Sequence, residues 1–242
     1  MRKVFAILFV LLVGGCSAEG QTKESLMESI CIVGASFAYP ENGWFEMACE
    51  ELNFQPLNKA ISGSDIKDTA QSIKESALLT LEELDNTKSL VIMHTHNFDV
   101  FDNRGAYGSY AIAFDYVIRG YITMCKSLQY NPDSKWFGVA DGKPVDIIIC
   151  THWHDGRTTF NDSVRKLDRK WDCVRLCEFD KNIGFTKDRP ITKSGKQVST
   201  SFAHPGNGAT EIIDGVEYGW HPKRGRDSEI QQRMADIFCK RF

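Results

Sequence analysis

Five short apolar runs, each closing on glycine or small polar residues, constrain this chain more than any other feature. They are Ser29–Val33, Pro56–Ile61, Leu90–Met93, Val145–Cys150 and Cys173–Phe179. Runs of this length without polar alternation are the pattern of strands buried on both faces. Between them lie stretches of helical periodicity. Trp44–Leu52 is one, and Asp65–Leu84 repeats apolar residues at Ile66, Ala70, Ile73, Ala77 and Leu81. Tyr110–Leu128 carries a broad stripe through Phe114, Val117, Ile118, Tyr121 and Cys125; Asp162–Lys170 and Asp227–Phe238 complete the set. Strand–helix alternation of this kind predicts an α/β fold, a three-layer α/β/α sandwich on a mostly parallel five-stranded sheet. Residues 180–220, rich in Gly, Lys, Thr and Ser, are too long for a simple connection and read as an irregular insertion that helps form a site.

The first fifteen residues stand apart from this pattern. Arg2 and Lys3 precede an apolar run from Val4 to Val13, and Gly14-Gly15-Cys16 follows. A charged, an apolar and a small-residue section in that order make a secretory signal, and the apolar part is too short for a permanent bilayer span. With Cys directly after two glycines it resembles a bacterial lipoprotein signal, which implies lipidation at Cys16 and a location in the cell envelope; ordinary secretion is the alternative. Residues 16–26 then form a polar tether, and residues 27–242 form one domain large enough for a full core. The formal net charge is −3, and no basic block interleaved with aromatics occurs, so a nucleic-acid partner is not expected. The seven cysteines after Cys16 contain no CxxC pair; those in apolar runs (Cys31, Cys150, Cys173 and Cys177) act as small hydrophobes.

Ligands of open α/β sheets bind at the carboxyl ends of the strands, and the residues following each run here are polar. Gly34-Ala35-Ser36 follows the first, Ser62-Gly63-Ser64-Asp65 the second, His94-Thr95-His96-Asn97 the third and Thr151-His152-Trp153-His154-Asp155 the fourth. Ser36 is either a helix cap or a nucleophile; Pro40 and Gly43 delay the next helix and weaken the cap reading. The pairs His94-x-His96 and His152-x-His154, with Asp99 or Asp155, contain the donor types of a zinc site. Their spacing does not match a His-x-His-x-Asp-His signature, because Arg157 stands where the last His belongs. No metal and no cofactor is therefore assigned, and His96, His152 and His154 are read as substrate-binding residues.

In order, these blocks resemble the SGNH (GDSL-like) hydrolase superfamily over nearly the whole span 29–242. "GASF" stands where that family has its Gly-Asp-Ser block, and "NKAISGSDI" resembles the second block with Gly63 as its glycine. "VIMHTHNFD" retains Asn97 of the third block, and "YGWHPKRGRDSEIQQRMADIF" resembles the last, with His221-Pro222 before a helix. The resemblance implies a flavodoxin-like sheet and a serine esterase. Ser36 would be the nucleophile and His221 the base. The Ser36 and Gly63 N–H groups and the Asn97 amide would form the oxyanion hole, and Trp220 would contact substrate. The substrate implied is a small-molecule or glycan ester, with the membrane contacted only through lipid on Cys16. Two departures stand out. Thr95 and Phe98 replace the third block's glycine and aspartate, and Tyr218 occupies the position of the triad acid. Glu217 is the expected replacement if residues 217–221 form a helical turn, since i and i+4 then share a face; Asp214 and a Ser–His dyad are the alternatives.

The residue types suit the chemistry. A serine hydroxyl attacks only when a base takes its proton, and the tetrahedral oxyanion needs preorganised donors. His204, also followed by proline, is the rival base. A non-catalytic glycan- or ligand-binding lipoprotein, or a His-rich metal-dependent hydrolase, are the competing functions.

Overall fold

The computed structural model describes residues 27–40, 42–95, 110–153, 158–183, 191–193, 196–198, 211–213, 216–218 and 224–242. Five parallel strands form its centre: β1 (Ser29–Gly34), β2 (Gln55–Asn58), β3 (Thr87–Met93), β4 (Ile147–Cys150) and β5 (Val174–Cys177), in the order β2-β1-β3-β4-β5. Register runs Ile32 opposite Asn58 and Val91, Val91 opposite Ile148, and Ile149 opposite Leu176. Around the sheet lie α1 (Trp44–Glu51), α2 (Ile66–Lys74), α3 (Leu81–Asn86), α4 (Tyr110–Ser127), α5 (Thr158–Lys170), α6 (Phe179–Asn182) and α7 (Glu229–Arg241).

Alternate residues of each strand point to opposite faces, and each face has its own core. Cys31, Val33, Leu90, Ile92, Ile147 and Ile149 pack with α2, α4 and α5 through Ile66, Ala70, Phe114, Val117, Tyr121 and Phe160. Ile30, Ile32, Val91, Met93, Ile148 and Cys150 pack on the other face with α1 and α7 through Trp44, Phe45, Ala48, Ile230, Met234 and Phe238. The three-layer sandwich expected from the apolar runs is the observed fold.

The differences are local and have physical reasons. Asp65–Leu84 is two helices, because Ser76 adopts a left-handed backbone (φ 55°) after Glu75 closes α2. Thr80 then opens α3 with a capping box: its Oγ1 accepts from Glu83 N at 3.2 Å, and the Glu83 carboxylate accepts from Thr80 N at 2.9 Å. β2 stops at Asn58, well before Ile61, yet Lys59 N still donates to Ile32 O and Ile61 N to Gly34 O, which explains the longer apolar run. β3 starts three residues earlier than Leu90, at Thr87, and β4 starts at Ile147 instead of Val145. The fifth strand ends at Cys177, so Phe179 belongs to α6. α5 begins at Thr158 and α7 at Glu229. Within 180–220, read as irregular, the chain forms two antiparallel hairpins: β6 (Ile191–Lys193) with β7 (Lys196–Val198), and β8 (Glu211–Ile213) with β9 (Val216–Tyr218).

The end of β1 tolerates no side chain. A Cβ on Gly34 would lie 2.8 Å from both Met93 O and the Ala38 Cβ. Gly34→Ala is therefore expected to destabilise by about 1–3 kcal/mol, the usual cost of overpacking. Thermal unfolding should show a melting point roughly 3–10 °C lower; an unchanged value would mean that the turn after β1 shifts freely.

Candidate active site

Ser36 lies in the turn that follows β1, where Ala38 N donates to Ala35 O at 3.0 Å, and it is 9% exposed. It does not cap α1. The residue in that position is Gly43, whose N–H is taken by the Glu46 carboxylate at 3.0 Å, while Trp44 N donates to Gln231 Oε1 of α7 at 2.9 Å. Neighbours on both sides pin the turn. Trp44 Nε1 donates to Phe37 O at 3.0 Å, and Asn58 Nδ2 to Ala38 O at 2.7 Å. Trp44 itself is buried core, packed edge-on against Phe179 with ring centroids 5.1 Å apart.

A small cleft opens beside the turn, lined by Ser36, Phe37, Tyr39, Gly43, Arg224 and Gln231. The Arg224 guanidinium stands 5.2 Å from the centre of the Tyr39 ring. The segment leading into α7 thus meets the loop that follows β1, although the two are far apart in sequence.

The ends of the neighbouring strands converge on the same edge. Gly63 sits in the turn after β2 with φ +82°, and a Cβ there would meet nothing within 4 Å, so its backbone faces open space. Glycine enters this conformation without strain. Ser64 Oγ donates to Gly34 O at 3.0 Å, tying that turn to the end of β1. After β3, His94 is buried and its Nε2 lies 2.7 Å from Thr69 Oγ1 of α2. Thr95 is buried beside it, and its hydroxyl has no hydrogen-bond partner among the described residues.

After β4, His152 is 2% exposed and its ring meets Phe37 edge-on, centroids 5.1 Å apart. An imidazole is thereby set against the residue following Ser36. A network absent from the sequence reading holds it there. His152 N donates to Asn161 Oδ1 at 2.8 Å, and Asn161 Nδ2 donates to Asp180 Oδ2 at 3.0 Å. Asp180 also accepts from Thr151 Oγ1 at 2.8 Å and from Arg165 Nη2 at 2.6 Å. Burial would lower the Arg165 pKa, but its bonds to Glu178 and Asp180 outweigh this and hold the guanidinium firmly charged. Burial likewise works to raise Glu178, and Lys181 and Arg165 outweigh it, leaving that carboxyl below its usual value. Asn161 and Asp180 gave no sequence signal, since their partners come from three elements brought together only by folding.

Of the residues singled out from sequence, the structure thus places Ser36, Gly63, His94 and His152 at one edge of the sheet, where the parallel strands end. Glu217 lies on β9, opposite Ile212, so its backbone is extended and the helical turn that would have paired it with His221 is not formed at Glu217–Tyr218. Cys16, His96, Asn97, Asp99, His154, Asp155, His204, Asp214, Trp220 and His221 lie outside the described residues. Among the described residues, no group of three or more His, Cys, Asp or Glu side chains could hold a metal ion. The seven cysteines after Cys16 are free thiols, and burial pushes Cys31 up to about 12.

Residues 28–242 match the family described as Domain of unknown function (DUF5040). The chain belongs to that family. No curated protein matches it. Among solved structures it is similar to a protein described as lipolytic, of the G-D-S-L family, from Desulfitobacterium hafniense DCB-2. That likeness has a TM-score of 0.51 at 12% identity and covers 88% of this chain and 99% of the other. A lipase, Lip_vut3, from a goat rumen metagenome aligns over 88% of this chain and 96% of its own, at 12% identity and a TM-score of 0.46. The first of these likenesses, together with the strand order, establishes the fold as that of SGNH hydrolases.

Removing the Asp180 carboxylate leaves Thr151, Asn161 and Arg165 each short of a partner. Arg165 keeps Glu178 and Asp162 as partners, so Asp180→Ala is expected to cost about 1–3 kcal/mol, the range for leaving buried polar groups unsatisfied, and Asp180→Asn clearly less. Denaturant unfolding of both variants measures this; equal small losses would show that the network contributes little to the turn that carries His152.

Proposed function

We propose that this chain is a lipid-anchored, extracytoplasmic serine esterase of the SGNH type that deacylates a carbohydrate ester. The observation that carries the proposal is the position of Ser36. It sits on a braced turn at the carboxyl end of β1, at the strand-end edge that also carries Gly63 and His152, with the His152 ring against its neighbour Phe37, and it does not cap α1. In this reading Ser36 Oγ attacks the ester carbonyl carbon and passes its proton to His221. The oxyanion is met by the Ser36 and Gly63 N–H groups and the Asn97 amide. His221 then gives the proton to the departing sugar oxygen, and water hydrolyses the acyl–serine by the same steps in reverse. His221 is three residues from Arg224, a separation the chain spans in at most about 11 Å, and Arg224 lines the cleft with Ser36. Arg224 and Gln231 line the cleft beside Ser36, and hydrogen-bonding side chains there suit a hydroxyl-rich leaving group better than a long acyl chain.

A second reading, a non-catalytic binder on the same fold, is favoured by one observation. Tyr218 stands where the acid belongs, and its neighbour Glu217 is in extended backbone. A fluorophosphonate separates the two. The esterase reading expects labelling of Ser36, lost in Ser36→Ala with the melting temperature nearly unchanged. It also expects Asn97→Ala to lower ester turnover roughly 10²–10³-fold. An unlabelled wild-type protein would leave the binder.

The anchor has its own test. Cys16→Ala should abolish partition into membranes, and membrane partition equal to wild type would refute lipidation at Cys16.

A further inference from the structure

The edge of the sheet opposite the candidate site carries an apolar loop that no part of the proposed chemistry uses. Residues 128–146 run from the end of α4 to the start of β4, and they display Tyr130, Phe137 and Val139, which are 76%, 57% and 42% exposed. The loop is braced. Asp85 accepts from Ser134 Oγ at 2.6 Å, from Lys135 N at 3.0 Å and, through its carbonyl, from Trp136 Nε1 at 3.3 Å. Gly138 N donates to Gln129 O at 2.9 Å, and the positive φ of Gly138 turns the tip. The bond between Gly138 and Gln129 sets the segments carrying Tyr130 and Phe137–Val139 side by side, and exposed apolar side chains grouped in this way mark an interaction surface.

The position of the loop identifies the partner. Asp85 and Asn86 directly precede Thr87, the first residue of β3, and Ser29 Oγ at the start of β1 lies 3.5 Å from Thr87 Oγ1. Met27, the first described residue, is on this same edge and is itself 43% exposed. Met27 stands two residues before β1, so the chain that precedes it joins the domain at this edge. The eleven residues 16–26 span at most roughly 40 Å even when fully extended. The edge at which the chain joins the domain is therefore the one held nearest the proposed lipid on Cys16, since facing the far edge to the bilayer would require the chain to run back along the whole sheet.

Building on the lipid anchor proposed above, we infer that Tyr130, Phe137 and Val139 rest in the membrane interface and orient the domain with its catalytic edge away from the bilayer. The amphipathic rings suit that boundary. Trp136 sits half-buried beneath Lys135, whose ammonium is 5.6 Å from the ring centre. Asp133, Lys135 and Asp141 give the loop charges of both signs, so the contact rests on apolar insertion and not on anionic lipid. The orientation also narrows the substrate: an ester reached at the outward edge belongs to a glycan or soluble molecule, and not to the lipids of the anchoring membrane.

Hydroxyl-radical footprinting of the full lipidated protein on phosphatidylethanolamine–phosphatidylglycerol (3:1) vesicles tests this. The reference is a lipid-free chain starting at Ser17, which keeps the described fold whole, in the same suspension. Oxidation of Tyr130 and Phe137 should fall several-fold on vesicles, at low and high salt alike, while Tyr39 on the opposite edge stays as reactive as in the reference. Tyr130→Ser with Phe137→Ser should leave flotation intact and speed amide exchange over 128–141 on vesicles. If the lipidated protein floats but Tyr130 and Phe137 oxidise as in the reference, or if Tyr39 is the residue protected, the orientation is wrong. Protection that appears in the lipid-free chain and grows with its concentration assigns the face to a second copy and overturns the proposal. If the wild-type protein does not float at all, the anchor reading fails, and this one with it.

Discussion

One contact between the two ends of the domain holds the candidate site in shape: the first N–H of α1, on Trp44, is accepted by Gln231 of α7. Helix starts leave N–H groups without intrahelical partners, and here a residue 187 positions away supplies the acceptor. The same Trp44 reaches in the other direction, through its indole N–H, to the carbonyl of Phe37. One buried residue, through its main-chain N–H and its indole, therefore couples the turn that carries Ser36 to α7. The Trp44 ring lies among Phe45, Phe179 and Phe238. Burial of these aromatic rings is the main energetic support for that coupling, and the hydrogen bonds set its direction.

The sheet was legible in the sequence because β1, β4 and the second half of β3 are buried on both faces, so Ile30–Val33, Leu90–Met93 and Ile147–Cys150 stand out as unbroken apolar runs. Helix α4 was legible for a related reason, since its stripe through Phe114, Val117, Ile118 and Tyr121 is fully buried. The break between α2 and α3 was missed because Ala77 and Leu81 continue the apolar period across it. The capping box at Thr80 and Glu83 was the local signal that could have revealed it. Of the site, the strand-end residues Ser36, Gly63 and His152 were readable from topology, because a parallel sheet sends every strand end to one edge. The Asn161–Asp180–Arg165 network was not. Asp180 looks like any polar residue after a strand, and its importance comes from Thr151, Asn161 and Arg165, which only the tertiary fold brings to it.

The hairpins β6–β7 and β8–β9 show where sequence reading runs out in a different way. Their strands have three residues each, too few for alternation to register, and the composition around them is that of a loop. The consequence falls on Glu217. Its candidacy as a triad acid came from the four-residue spacing to His221, which brings side chains together only in a helix. In β9 the rise per residue is more than twice that of a helix, so the spacing argument no longer favours Glu217 over Asp214 or a dyad.

Parallel topology has a further consequence that does not depend on any single residue. All five strands start on one edge and end on the other, so a chain that enters through β1 fixes which edge carries its tether and which carries the site. β3, with seven residues, spans about 20 Å. The braced loop with Tyr130 and Phe137 and the turn with Ser36 stand at least that far apart along the strands. An N-terminal anchor on this fold therefore needs no special device to keep the catalytic edge clear of the bilayer. In the proposed orientation the exposed aromatic residues add a preferred tilt to a separation that strand direction alone imposes. On the proposed reading the fold divides its two edges between attachment and chemistry, with the apolar sheet as the spacer.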